Sequence, residues 1–128
     1  MAASPTVQLT QYLLGIHAVG PGYKTWAVAP HPGRVGSASG AVPTKYGKLR
    51  AAWTSRVRRH TFTLEVTAPD RTRGTITVPF RSGQTAVITS NGETRELTRA
   101  QILRAVEKGR LVMKVAGGLH RIEVRPRR

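Results

Sequence analysis

The 128-residue sequence contains no cysteine. A disulfide framework, a cysteine-based zinc site and a thiol nucleophile are therefore excluded. No apolar run approaches the roughly 20 residues that a membrane-spanning helix needs, and the first residues lack the basic and apolar stretches of a secretory signal. We therefore expect neither a membrane span nor a signal peptide in this chain. The compartment, secreted or cytoplasmic, stays open.

Acidic residues are scarce. The sequence has 6 Asp and Glu against 21 Lys and Arg, which gives a formal net charge of +15. A surface of this sign concentrates polyanions such as nucleic acid, anionic lipid headgroups or acidic polysaccharide. We expect the binding to be non-specific and salt-sensitive, because no sequence-reading motif accompanies the charge. The predicted polyanion contacts are Arg56, Arg58, Arg59, Arg127 and Arg128.

The few acids also limit catalysis. Glycoside hydrolysis normally needs two carboxylates that face each other across the scissile bond. In this sequence the acids fall in separate turns and on the polar sides of separate strands, and the histidines lack metal-ligand spacing. We therefore expect no catalytic residue, no metal and no cofactor. The acids are Glu65, Asp70, Glu93, Glu96, Glu107 and Glu123.

Apolar residues alternate with polar ones along most of the chain after position 23. The clearest alternation places Phe62, Leu64 and Val66 on one side of a strand. The predicted strands are 23–29, 49–53, 61–67, 74–80, 85–89, 110–116 and 119–124. The predicted turns are Pro30-His31-Pro32-Gly33, Pro69-Asp70, Ser82-Gly83, Asn91-Gly92 and Gly117-Gly118. Short strands at this spacing predict an all-β fold, an antiparallel, jelly-roll-like β-sandwich.

Two segments have a helical period instead. The first is 7–16, a short N-terminal helix. The second lies near 98–108, where Thr98 and Gln101 have the spacing of a capping box and Gly109 suits the position after the helix. The apolar faces consist of Leu9, Tyr12, Leu13 and Ile16 in the first helix and of Ile102, Leu103 and Val106 in the second.

Aromatic residues make up only 5% of the sequence. Trp26 and Trp53 share strand faces with aliphatic residues, so we expect both in the core. Tyr23 and Tyr46 adjoin glycines in turn-like settings, where a flat ring can stay exposed and stack on the C–H face of a sugar. The predicted carbohydrate contacts are Tyr23, Lys45, Tyr46 and Arg50.

Several motifs, taken in order, resemble the C-terminal domain of α-L-rhamnosidases of glycoside hydrolase family 78. The motifs are Pro21-Gly22-Tyr23-Lys24-Thr25-Trp26, Val28-Ala29-Pro30-His31-Pro32-Gly33 and Val42-Pro43-Thr44-Lys45-Tyr46-Gly47. The resemblance implies that residues 1–20 are the remnant of a preceding helical barrel with its junction, and that residues 21–128 form a C-terminal β-sandwich domain.

The resemblance also implies a function. The family's acid and base residues lie in the barrel, so this chain is expected to be a non-catalytic accessory domain that supports a glycosidase barrel and contacts a rhamnose-containing or acidic glycan. The alternative is a stand-alone basic β-sandwich that binds nucleic acid or acidic glycan. An isolated domain would expose the apolar stripe of Leu9, Leu13 and Ile16, which predicts self-association through it.

Overall fold

A computed structural model describes residues 14–20, 22, 24–30 and 36–126. Within them the strands are β1 (Ile16–Ala18), β2 (Thr25–Val28), β3 (Ser37–Thr44), β4 (Gly47–Arg56), β5 (Thr61–Pro79), β6 (Gln84–Ser90), β7 (Glu93–Glu96), β8 (Val106–Glu107) and β9 (Arg110–Pro126), with a helix α1 (Arg99–Ala105) between β7 and β8. The prediction of an all-β fold of sandwich type is confirmed.

The strands described form one sheet built around two long members, β5 and β9, which pair antiparallel along both halves. The first half of β5 also pairs with β4, and β3 completes that side. The second half of β5 pairs with β2, which lies next to β1. Because β2 runs parallel to β5, the sheet is mixed and not purely antiparallel as predicted.

The two halves of the long pair meet at a bulge. The register changes from Ala68 opposite Gly118 to Arg73 opposite Ala116, so residues 69–72 lie across from Gly117 alone. A Cβ at Gly117 would lie 2.2 Å from the carbonyl oxygen of Pro69, so this close approach requires glycine. The predicted chain reversals at Pro69-Asp70 and Gly117-Gly118 are therefore wrong, because both segments remain inside one ladder.

Buried side chains from both halves of the sheet form one hydrophobic cluster. Trp26 and Trp53 are buried in it, as predicted. The ring of Trp53 stacks on that of Phe62 with centroids 5.9 Å apart. The indole nitrogen of Trp26 donates a hydrogen bond of 3.1 Å to the hydroxyl of Thr72. The bulge that carries Thr72 is thereby tied to the core.

The N-terminal helix predicted at 7–16 lies almost entirely outside the described residues. Its last predicted residue, Ile16, begins β1 and is buried, with 2% of its surface exposed. The expectation that Ile16 belongs to an exposed helical stripe is therefore wrong, because pairing with Val28 places it in the sheet. Leu9 and Leu13 fall outside the described residues.

The second helix, α1, has the predicted capping box: the hydroxyl of Thr98 accepts from the backbone N–H of Gln101, and the Gln101 side chain accepts from the backbone N–H of Thr98. The helix is shorter than predicted and ends at Ala105, because the backbone becomes extended at Val106, where β8 begins. Gly109 consequently lies in the turn between β8 and β9. Leu103 is 73% exposed, so its predicted place on the buried face is wrong.

The remaining turns follow the sequence pattern. Ser82-Gly83 precedes β6, and Asn91-Gly92 joins β6 to β7, as predicted. Lys45 and Tyr46 form a two-residue turn between β3 and β4. Most of the turn predicted at Pro30-His31-Pro32-Gly33 lies outside the described residues.

Candidate functional site

The turn of Lys45 and Tyr46 presents two of the predicted carbohydrate contacts. The hydroxyl of Thr44 holds this turn by accepting from the backbone N–H of Tyr46 at 3.2 Å and donating to the carbonyl of Gly47 at 2.5 Å. Tyr46 is 36% exposed. A Cβ built on Gly22 would lie 3.4 Å from the Cβ of Lys45, so the segment that carries Gly22 reaches the turn.

The other two predicted contacts are Tyr23 and Arg50. Tyr23 lies outside the described residues. Arg50 lies four residues along β4 from the turn, or about 13 Å at the rise of an extended strand. Its side chain lines a shallow cleft of about 330 Å³ on the outer face of β3, β4 and β5. The structure therefore separates Arg50 from Tyr46.

Apart from Arg50 and Glu65, the cleft contains residues that the sequence did not single out. Ser39, Ala41 and Ala52 give it a floor of small side chains, and Glu65 and Thr67 of β5 border it. The exposed Glu65 forms an ion pair of 3.8 Å with Arg121 on β9. These residues come together through strand register, so local sequence gives no signal of the cleft beyond the polar side of each strand.

The predicted polyanion contacts that are described lie at the opposite end of β4. Arg56 ends that strand, and Arg58 and Arg59 belong to the short 3₁₀ helix Val57–Arg59 that follows it; all three are exposed. Arg127 and Arg128 lie outside the described residues. Arg81 and Arg125, which the sequence did not indicate, join this cluster.

Gln84 joins two of the chain segments that carry this cluster. Its amide nitrogen donates to the carbonyl of His60 at 2.8 Å, and its amide oxygen accepts from the backbone N–H of Arg81 at 2.8 Å. Gln84 is also the register partner of Pro126, the residue after Arg125. We call the set of Arg56, Arg58, Arg59, Arg81 and Arg125 the basic end. Arg125 alone among them has a described ion pair, at 3.4 Å from Glu123.

The six acids do not share a pocket in the clefts described. Glu65 and Glu123 lie on neighbouring strands of one outer face, but each pairs with its own arginine, and their side chains are 52% and 35% exposed. Glu96 accepts a hydrogen bond of 3.2 Å from Thr85, and Glu107 lines a separate cleft beside β8. Within residues 14–20, 22, 24–30 and 36–126, no group of three His, Asp or Glu side chains is placed to hold a metal ion.

Comparison with protein families identifies a matching domain. The family model described as the bacterial α-L-rhamnosidase C-terminal domain matches residues 15–93. The chain belongs to this family. The resemblance inferred from the sequence motifs is thereby confirmed. Comparison with curated proteins gives no significant match. Among the described residues, no helix has the length and apolar character to cross a membrane.

Solved α-L-rhamnosidases contain the same fold as this C-terminal domain. The enzyme from Dictyoglumus thermophilum matches with a TM-score of 0.75 and 17% identity over 92% of this chain and 13% of its own. The Streptomyces avermitilis enzyme, complexed with L-rhamnose, matches with a TM-score of 0.71 and 23% identity, over 92% of this chain and 10% of the enzyme. The Aspergillus terreus enzyme matches with a TM-score of 0.51 and 21% identity, over 85% of this chain and 10% of the enzyme. The chain thus spans only 10 to 13% of these enzymes.

Proposed function

We propose that this chain acts as an accessory domain that packs against and supports the catalytic barrel of an α-L-rhamnosidase. The observation that carries the proposal is the coverage: the shared fold takes up 92% of this chain but only 13% of the Dictyoglumus thermophilum enzyme. We further propose a junction in the first residues and a C-terminal β-sandwich after it. The family match begins at residue 15 and β1 pairs with β2, which favours a boundary slightly before the predicted residue 21.

A binding experiment in trans tests the supporting role. The purified chain is mixed with an α-L-rhamnosidase catalytic fragment that lacks its own C-terminal domain. The expected result is a higher melting temperature of that fragment, because a partner that binds only the folded state stabilises it. The intact enzyme is the control, since its own domain occupies the docking face. No rise for the fragment, or an equal rise for both proteins, contradicts the proposal.

We also propose that the chain has no glycosidase activity of its own. Support comes from four of the acids. Glu65 and Glu123 lie on an outer face beside arginines, Glu96 accepts a hydrogen bond from Thr85, and Glu107 lines a separate cleft. The test is hydrolysis of 4-nitrophenyl α-L-rhamnopyranoside by the purified chain. The expected rate equals that of buffer. Turnover that disappears when one of the six acids is replaced by its amide contradicts the proposal.

A carbohydrate contact at the turn belongs to the same proposal. The exposed ring of Tyr46 offers a flat apolar surface, and Lys45 beside it offers a hydrogen-bond donor. Tyr46→Ala removes the ring, whereas Tyr46→Phe keeps it and serves as the matched control. Rhamnose-containing oligosaccharides are expected to bind the Phe variant like the original chain and the Ala variant more weakly. Equal affinity for all three proteins excludes this contact.

Self-association also stays a prediction, now restricted to Leu9 and Leu13, because Ile16 is buried. Sedimentation equilibrium of the purified chain tests it. A dimer that dissociates when both leucines are changed to glutamine supports the prediction, and a monomer at all concentrations contradicts it.

The basic end favours a second candidate function, binding of a polyanion. Five exposed arginines from three chain segments gather there, against one described ion pair to Glu123. Affinity for a short DNA duplex is measured as the salt concentration rises. Counterion release predicts a steep linear fall of the logarithm of affinity with the logarithm of salt. A flat dependence, like that expected for a neutral rhamnoside, contradicts polyanion binding.

A further inference from the structure

A cleft of about 260 Å³ lies between helix α1 and strands β6, β7 and β9. Leu97 and Ala105 line it on the helical side, and the floor is the edge of the hydrophobic core. The apolar floor consists of Ile88, Met113, Val115 and Ile122. Concave sites that are mainly apolar and carry a few polar groups are the usual form of small-molecule sites in proteins.

A cationic side chain borders this apolar space. Arg95 lies directly opposite Ile88 in the β6–β7 pair, and Ile88 is buried, so both side chains lie on the inner face of the sheet. Arg95 is exposed and forms no ion pair with a residue that the structure describes. Lys114 lines the same cleft. The acid nearest to Arg95 on that face of β7 is Glu93, which does not line the cleft.

The polar groups deeper in the cleft already have partners. His120 is 4% exposed, and its ring nitrogens lie 2.9 Å from the hydroxyl of Ser90 and 2.8 Å from the carbonyl oxygen of Ala116. Both ring nitrogens of His120 already have partners, so a ligand in the cleft does not need to form a hydrogen bond with them. The polar group of a ligand is therefore best placed at the rim of the cleft, beside Arg95.

We propose that this cleft binds a small organic anion with an apolar body, such as an aromatic or medium-chain aliphatic carboxylate. The apolar body is removed from water against Met113, Val115 and Ile122, and the carboxylate is paired with the guanidinium of Arg95, which offers two parallel donors. The family match ends at residue 93, before Arg95, α1 and Met113. The proposal therefore goes beyond the accessory role and stands independently of it.

Methionine NMR on the intact chain tests the proposal. The sequence has two methionines, of which Met113 lines the cleft and Met1 falls outside the residues that the structure describes, so ¹³C-methyl labelling gives one reporter of the cleft and one comparison signal. Titration with octanoate is expected to shift the Met113 signal until saturation and to leave that of Met1 unchanged. Arg95→Gln is expected to weaken octanoate binding roughly fivefold, the effect of one partly exposed charged contact. Octan-1-ol, which has no charge, is expected to bind both proteins equally.

Two further variants separate the site from general surface charge. Arg99→Gln removes the same charge from α1 outside the cleft and is expected to leave octanoate affinity unchanged. Ala105→Phe fills the cleft from the helix and is expected to abolish binding of both ligands, while its circular dichroism spectrum stays that of the folded chain. The proposal is overturned if Met113 shows no saturable shift, if Arg95→Gln and Arg99→Gln weaken octanoate equally, or if the folded Ala105→Phe variant binds as before.

Discussion

At Gly74 the backbone of β5 passes against the indole of Trp26. The two residues are register partners in the parallel pair of β2 and β5, and a Cβ on Gly74 would lie 2.2 Å from two carbon atoms of the ring. The indole is fully buried, so it has no open space into which to move. The large ring on one strand therefore requires a residue without a side chain on the next.

Gly74→Ala tests this requirement. The added methyl forces the indole or the backbone to shift, and overpacking of this kind costs about 1 to 3 kcal/mol of unfolding free energy. Urea unfolding followed by tryptophan fluorescence measures the loss. Gly36→Ala is the matched control, because a Cβ there meets no atom within 4 Å. Equal stability of the two variants contradicts the close contact.

Thr72 supports the same indole from the bulge. Its hydroxyl accepts from the Trp26 N–H at 3.1 Å and donates to the carbonyl of Pro69 at 2.6 Å. Thr72→Val keeps the shape but leaves a buried indole N–H without an acceptor, at a cost of about 1 to 3 kcal/mol. Thr72→Ser keeps the hydroxyl and is expected to be distinctly more stable than the Val variant in the same unfolding assay. The reverse order rules out a stabilising role for this hydrogen bond.

At the scale of elements, helix α1 depends on its first turn. It has only seven residues, and Ile102 is its buried anchor. Such a short helix is marginal by itself, so the capping box of Thr98 and Gln101 matters. Thr98→Ala is expected to lower the unfolding free energy by about 1 kcal/mol, and Thr98→Ser to preserve it. Thermal unfolding followed by circular dichroism compares the two; no difference between them means that the cap is not stabilising.

The sequence predicts elements that local chemistry specifies. The period-two alternation located β2, β4, β5, β6 and β9 but missed β1, β3, β7 and β8, and the Thr98 and Gln101 spacing located α1. The sequence prediction was wrong where the same residue types are compatible with two structures. Pro69-Asp70 and Gly117-Gly118 are typical of turns, yet they form the two sides of one bulge. The pairing partners at the bulge are distant in the chain, so only the tertiary register distinguishes a bulge from two reversals. The prediction that Ile16 belongs to a helix was wrong for a similar reason, because its strand pairing with Val28 is a tertiary contact that its helical spacing in the sequence does not show.

The candidate sites divide in the same way. Exposure of Tyr46 and of Arg56, Arg58 and Arg59 follows from turn position and charge, and the structure agrees. Arg81 reaches the basic end through Gln84, which bonds both to its backbone N–H and to the carbonyl of His60. Arg125 reaches it through the pairing of β9 with β5 and β6. Neither lies within the arginine run at 56–59, so no local pattern marks them.

At the scale of the whole molecule, the net charge of +15 allows a polyanion to bind either at one site or anywhere on the surface. If the basic end is a localised site, removing its arginines must weaken binding more than removing the same charge elsewhere. If only the total of +15 matters, position is irrelevant. The two cases predict different results for variants of equal net charge.

The variant Arg58→Gln, Arg59→Gln, Arg81→Gln is therefore compared with Lys24→Gln, Arg99→Gln, Arg104→Gln. All six positions are exposed, so both variants are expected to fold. The first is expected to lower the salt dependence of DNA binding by about 0.9 in log–log slope for each phosphate that it no longer neutralises, whereas the second changes the slope much less. Equal slopes in fluorescence anisotropy titrations would show that the binding follows net charge alone and has no preferred site at the basic end.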